Sequence, residues 1–128
     1  MPTTSNGTAY TVATATVPTA GAVTIGIPDS KIGAPGLTCM LYAHGAGGAG
    51  DQFATLPAWA AFRDALFDAG LAWAEGTGGG VQPWGNPASE SAYAATMNYA
   101  DSLHNIAHWV FLGRSMGGAV MEIGSAHV

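Results

Sequence analysis

Trp109-Val110-Phe111-Leu112-Gly113-Arg114-Ser115-Met116-Gly117-Gly118-Ala119-Val120-Met121-Glu122-Ile123 is the stretch on which the fold turns. The continuous apolar run Trp109 to Leu112 predicts a buried strand. The glycine-rich turn after it, and the apolar segment Ala119 to Ile123, predict a sharp passage from strand into helix. Within that turn Gly113-Arg114-Ser115-Met116-Gly117 fits G-x-S-x-G, a short pattern that gains meaning only between a strand and a helix. A strand reversing directly into a helix strains the central residue and leaves no room for side chains two positions away, so glycines flank it. Ser115 is then expected above the sheet edge. There the positive end of the following helix faces its oxygen, and the Met116 N–H points at a developing oxyanion.

Earlier in the chain, Leu37-Thr38-Cys39-Met40-Leu41-Tyr42-Ala43 predicts a second fully buried strand, with Cys39 as a small apolar residue inside it. It runs into His44-Gly45-Ala46-Gly47-Gly48-Ala49-Gly50, too dense in glycine for helix or strand. A bare turn of this kind lets backbone N–H groups approach a substrate carbonyl closely. Ala46, together with Gly47, is the expected second oxyanion donor. His44 is expected to hold the loop by hydrogen bonding rather than to act as a base.

The remaining elements follow from periodicity and punctuation. Tyr10 to Val17 and Ala22 to Ile27, separated by Pro18-Thr19-Ala20-Gly21, predict a β-hairpin. Thr55 as cap and Pro57 in the first turn predict a helix with Trp59, Phe62 and Leu66 on one face, closed by Gly70. Leu71 to Ala74 predicts a short strand and Glu75 to Gly85 a loop. Asn86 as cap with Pro87 behind it predicts a second helix carrying Tyr93, Met97, Ala100 and Leu103 on its inner face. The alternation implies one α/β domain over residues 1–128, with a flexible N-terminus over 1–8. Its sheet is expected to be mostly parallel, of about five strands, with an N-terminal hairpin and three helices.

Composition narrows the function classes. Three basic residues against eight acidic ones give a net charge of -5, which offers no cationic stripe to neutralise phosphates, so nucleic-acid binding is not expected. No apolar run approaches the roughly 20 residues needed to cross a bilayer, and the N-terminus lacks the pattern of a signal peptide. Cytoplasmic or virion-associated residence is the expectation. One cysteine excludes an internal disulfide and a multi-cysteine zinc site, and no metal or other cofactor is implied. Gly76 to Gly80 lacks the lysine of a phosphate-binding loop. Trp59, Trp73, Trp84 and Trp109 read as core or loop anchors rather than a ligand stack.

Taken together, His44 to Gly48, Leu56-Pro57-Ala58-Trp59 with Leu66 to Gly70, Trp84-Gly85-Asn86-Pro87, and Gly113 to Gly118 resemble the first half of an α/β-hydrolase, over about Leu37 to Ser125. The segment is most similar to esterase-like members from actinobacteria and their phages. The resemblance implies a serine nucleophile, an acid and a histidine, in that order along the chain. Ser115 fits the first. After it, 13 residues hold one acid, Glu122, and one histidine, His127. On a continued helix they lie about 10 Å and 18 Å from Ser115 at a rise of about 1.5 Å per residue, out of reach. His104 and His108 precede the nucleophile strand and read as structural. The triad acid and histidine are therefore expected outside this chain.

The resemblance also implies that strand 109–112 is central in a complete sheet, so here it becomes an open apolar edge. A second chain or a C-terminal half is expected to cover it. Two functions follow. One is a serine esterase acting on a small ester, with Ser115 attacking the carbonyl. The other is an inactive structural or binding module, such as a virion component, that keeps the half-fold.

Overall fold

The structure, a computed structural model, describes residues 2–44, 52–77 and 87–113. Five strands, β1 (Tyr10–Val17), β2 (Gly21–Pro28), β3 (Leu37–Ala43), β4 (Ala72–Gly76) and β5 (Ile106–Gly113), form one sheet in the order β1-β2-β4-β3-β5. Three α-helices are described: α1 (Gln52–Thr55), α2 (Ala60–Asp68) and α3 (Pro87–Leu103). This is an α/β fold with an N-terminal hairpin. Parallel pairing is confined to β3 with β4 and β3 with β5, while β1 with β2 and β2 with β4 run antiparallel. The expected helix over 119–123 lies outside the described residues.

The period of two along each strand splits the core into two layers. Cys39, Leu41 and Ala43 of β3, with Ala72 and Ala74 of β4, face Tyr93 and Ala100 of α3. Met40, Tyr42 and Trp73 face Phe53, Leu66 and Phe67 on the other side. Both faces are thus covered, which is why β3 reads as an unbroken apolar run. Aromatic edges and faces join the second layer: Phe53 lies 5.2 Å from Tyr42 and from Trp73, centroid to centroid.

Several expectations are corrected. Thr55 does not cap a long helix; it ends α1. Leu56 is extended at φ -69°, ψ 126°, because a residue before proline avoids the α region, and a single 3-10 turn over Pro57–Trp59 leads into α2. On α2 the buried pair is Leu66 and Phe67, whereas Phe62 is 37% exposed, its ring resting on Phe53 and Trp59 at 5.8 and 5.9 Å. Gly70, at φ +79°, does close the helix. Its N–H reaches the Phe67 carbonyl and that of Leu71 reaches Leu66, which is a Schellman motif.

Helix α3 starts at Pro87 as expected, and Tyr93 and Ala100 lie in the core with Met97 partly buried against it, joined by Ser89, Ala92 and Thr96, but Leu103 is exposed. The helix comes close to β4 at Gly76, where an added Cβ would stand 2.7 Å from the Thr96 hydroxyl. Strand β4 runs two residues further than expected, so Glu75 and Gly76 belong to the sheet rather than to a loop. The N-terminal segment, where the sequence suggests flexibility, meets α2 through specific contacts. Asp68 accepts hydrogen bonds from the hydroxyls of Thr4 and Thr8, both at 2.7 Å, and from the Asn6 amide at 2.9 Å.

Candidate active site

Strands β3, β4 and β5 run the same way, so their C-terminal ends lie together, the position where open parallel sheets bind ligands. Tyr42 is the register partner of Glu75, and Ala43 that of Gly113. Neighbouring strands lie about 4.8 Å apart. The end of β3 at Ala43 and the end of β5 at Gly113 therefore lie side by side. Ser115, Met116 and Gly117, and likewise Gly45, Ala46 and Gly47, lie outside the described residues. What the structure fixes is the frame from which those segments depart.

His44 is buried, and its Nε2 lies in hydrogen-bond contact with the Thr77 carbonyl. A carbonyl oxygen can only accept, so Nε2 carries the proton and donates it. That nitrogen is committed to holding the end of β3 against the end of β4. Thr77 is itself tied to the hairpin, its hydroxyl donating to the Ala20 carbonyl at 3.0 Å.

Glu75 was not among the expected site residues. It is 1% exposed and lies on the α1 side of β4. Its Oε1 accepts the Phe53 N–H at 3.1 Å and its Oε2 the Ala54 N–H at 2.9 Å. The signal was present in Ala72-Trp73-Ala74-Glu75: an acid ending an apolar run is either the start of a loop or a buried acceptor. Beside it the Tyr42 hydroxyl donates to Gln52 Oε1 at 3.2 Å. Arg63 holds the same helix from its other end, one guanidinium nitrogen donating to the carbonyls of Phe53 at 2.6 Å and Leu56 at 3.0 Å.

Tyr93 reaches this region from α3. Burial pushes its phenol well above the ordinary range, against an opposing effect of the His44 backbone, and the nearby Glu75 and Tyr42 add to the rise. The hydroxyl stays protonated at neutral pH. His104 and His108 sit at the other end of the sheet, where Ile106 pairs with Leu37 and His108 with Thr38. Partial burial lowers the pKa of His104. The five residue steps from His108 to Gly113 span about 16 Å of strand. Among the described residues no group of three His, Cys, Asp or Glu side chains could hold a metal ion, and no helix is long and apolar enough to cross a membrane.

A mixed sheet in this order, with parallel strands opening onto two glycine-rich segments, has close counterparts among solved structures. A ferulic acid esterase superposes with a TM-score of 0.64 at 17% identity, over 94% of this chain and 54% of its own. The fold is of the α/β-hydrolase type. FphF, the fluorophosphonate-binding serine hydrolase F of Staphylococcus aureus, gives a TM-score of 0.61 at 18% identity, over 87% of this chain and 49% of its own. The S-formylglutathione hydrolase FrmB of Staphylococcus aureus gives 0.59 at 21%, over 92% and 52%. The chain spans about half the length of these structures. No family model and no curated protein matches the sequence.

Proposed function

We propose that this chain is the nucleophile-bearing half of a serine esterase. Ser115 is the nucleophile, the backbone amides of Met116 and of Ala46 with Gly47 form the oxyanion hole, and the triad acid and histidine come from sequence beyond residues 1–128 or from a second chain. The observation that carries this is the pairing of Ala43 with Gly113, which starts the two glycine-rich segments from adjacent strand ends. The fold shared with hydrolases and esterases supports the same reading at a coarser level.

In the reaction, Ser115 Oγ attacks the carbonyl of a small ester while its proton passes to the histidine. The tetrahedral oxyanion collapses, the alcohol leaves with that proton, and an acyl-serine remains. Water then releases the carboxylic acid and restores the hydroxyl. Among the described residues β5 pairs only with β3, and its other edge, with Val110 52% exposed, takes the strand that completes the sheet.

Hydrolysis of p-nitrophenyl acetate tests the proposal. Turnover abolished by Ser115→Ala is the expected result, and a rate unchanged by that substitution overturns it. A folded chain with no turnover, alone or with its completing partner, favours the structural module instead. Size measurement of the same sample tests the edge: a stable, monodisperse monomer without further sequence speaks against a covering strand.

A further inference from the structure

We propose that Asn6 is a site of spontaneous deamidation, that Asp68 holds the reaction in check, and that once it occurs it releases the N-terminal turn from α2. Of the four asparagines only Asn6 precedes a glycine; Asn86, Asn98 and Asn105 precede Pro87, Tyr99 and Ile106. The reaction uses the backbone nitrogen of the following residue. Glycine leaves that nitrogen sterically open, proline has no N–H to lose, and the large side chains of tyrosine and isoleucine crowd the attack. Asn6 and Gly7 are both exposed, so water reaches them, and a Cβ at Gly7 would meet nothing within 4 Å. The turn itself calls for glycine there, at φ +90°, so the reactive pair comes with the fold.

In the closed turn both reacting groups are engaged. The Asn6 side-chain amide donates to Asp68 Oδ2 at 2.9 Å, and the Gly7 N–H donates to the Thr4 carbonyl at 2.9 Å. Asp68 Oδ1 also accepts from the Thr4 and Thr8 hydroxyls, so one carboxylate closes the whole turn. Asp68 is the last residue of α2, where the helix dipole disfavours a negative charge; the turn it binds accounts for it better than the helix that carries it. When the turn opens, the Gly7 nitrogen attacks Asn6 Cγ. The N–Cγ bond forms, the Cγ–Nδ2 bond breaks, and ammonia leaves with the Gly7 proton. Water then opens the five-membered imide to an aspartate or isoaspartate at position 6. A carboxylate now stands where an amide donated to Asp68, and like-charge repulsion replaces a hydrogen bond. Loss of that bond weakens the Thr3–Ala9 bridge and the bond from the Tyr10 N–H to the Pro2 carbonyl, which cover the start of β1.

Incubation of the native chain at pH 8, followed by peptide mass spectrometry, tests the inference. The expected result is amide-to-acid conversion at Asn6 well ahead of Asn86, Asn98 and Asn105, and several-fold faster conversion in Asp68→Ala. Asn6→Asp, which installs the carboxylate directly, should speed amide exchange at Thr4, Gly7 and Tyr10 while exchange at Trp73 keeps its wild-type rate. Asn6 left intact in Asp68→Ala overturns the site, and conversion at the wild-type rate in that variant overturns the guarding role of Asp68. Wild-type exchange in Asn6→Asp overturns the release of the turn. If Asp68→Ala does not fold, Asp68→Asn removes the charge while keeping the shape, and its conversion rate is read in the same way.

Discussion

The indole of Trp73 lies directly over Gly26, its register partner on the neighbouring strand β2. A Cβ at Gly26 would stand 2.4 Å from Cε2 of that ring, and Trp73 is fully buried. Gly26→Ala is therefore expected to destabilise the fold by about 1–3 kcal/mol, the usual cost of overpacking. Adding Trp73→Leu should recover part of the loss, since the two positions are in contact and their effects do not add. Equal stability of Gly26→Ala and wild type in urea unfolding would show that the ring does not sit there.

Cys39 is enclosed between β4 and β5 under α3, and burial, with a smaller effect of the Asp101 charge, pushes its thiol far above the range in which thiolate forms. Only the thiolate attacks disulfide reagents. The native chain should therefore leave Ellman's reagent unreacted at pH 8 and release one equivalent of chromophore in denaturant. Native labelling at the rate of a free thiol contradicts the burial.

Asp68 gives a pH dependence of definite sign. Hydrogen bonds from Thr4, Thr8 and Asn6 hold its carboxyl below the ordinary 3.8. A pKa lowered by folding means that the ionised form supports the fold. The tether of the N-terminal turn is complete above the unfolded value and is lost as the pH falls through the lower, folded one. The Thr4 and Thr8 methyl resonances should titrate with a midpoint below 3.8, and Asp68→Ala should move both to their acid-limit positions at neutral pH. Trp73 and Phe53 resonances should not move. A midpoint at or above 3.8 contradicts the tether.

The elements that were legible in the sequence are those whose signals are local. Pro18 to Gly21 marks a hairpin whatever surrounds it, Pro87 starts a helix, and Gly70 ends one. The features that were not legible depend on what lies across the sheet. Leu103 has the right spacing for the inner face of α3, yet it is exposed, while Ser89, Ala92 and Thr96 are buried. Glu75 has the composition of a loop start, and its burial is explained by Phe53 and Ala54, which lie more than twenty positions away. His44 could be weighed in advance because its neighbours in sequence already marked it as a loop anchor. The side-by-side departure of the two glycine-rich segments needed the strand order, which no local pattern contains.

Whether His44 is an anchor or a base can be decided by replacing it with glutamine. As an anchor it donates from Nε2 to the Thr77 carbonyl, and a glutamine amide can donate likewise, although imperfectly. His44→Gln should then keep most of the Ser115-dependent turnover, losing less than the roughly 10²–10⁴-fold a general base contributes. The acid limb of the pH–rate profile should keep its place, because the titrating histidine is elsewhere. His44→Ala leaves the Thr77 carbonyl without that donor and should cost about 1–3 kcal/mol of stability. If His44→Gln instead abolishes turnover and removes the acid limb while the protein stays folded, then His44 is the base and its bond to Thr77 must break in the active complex.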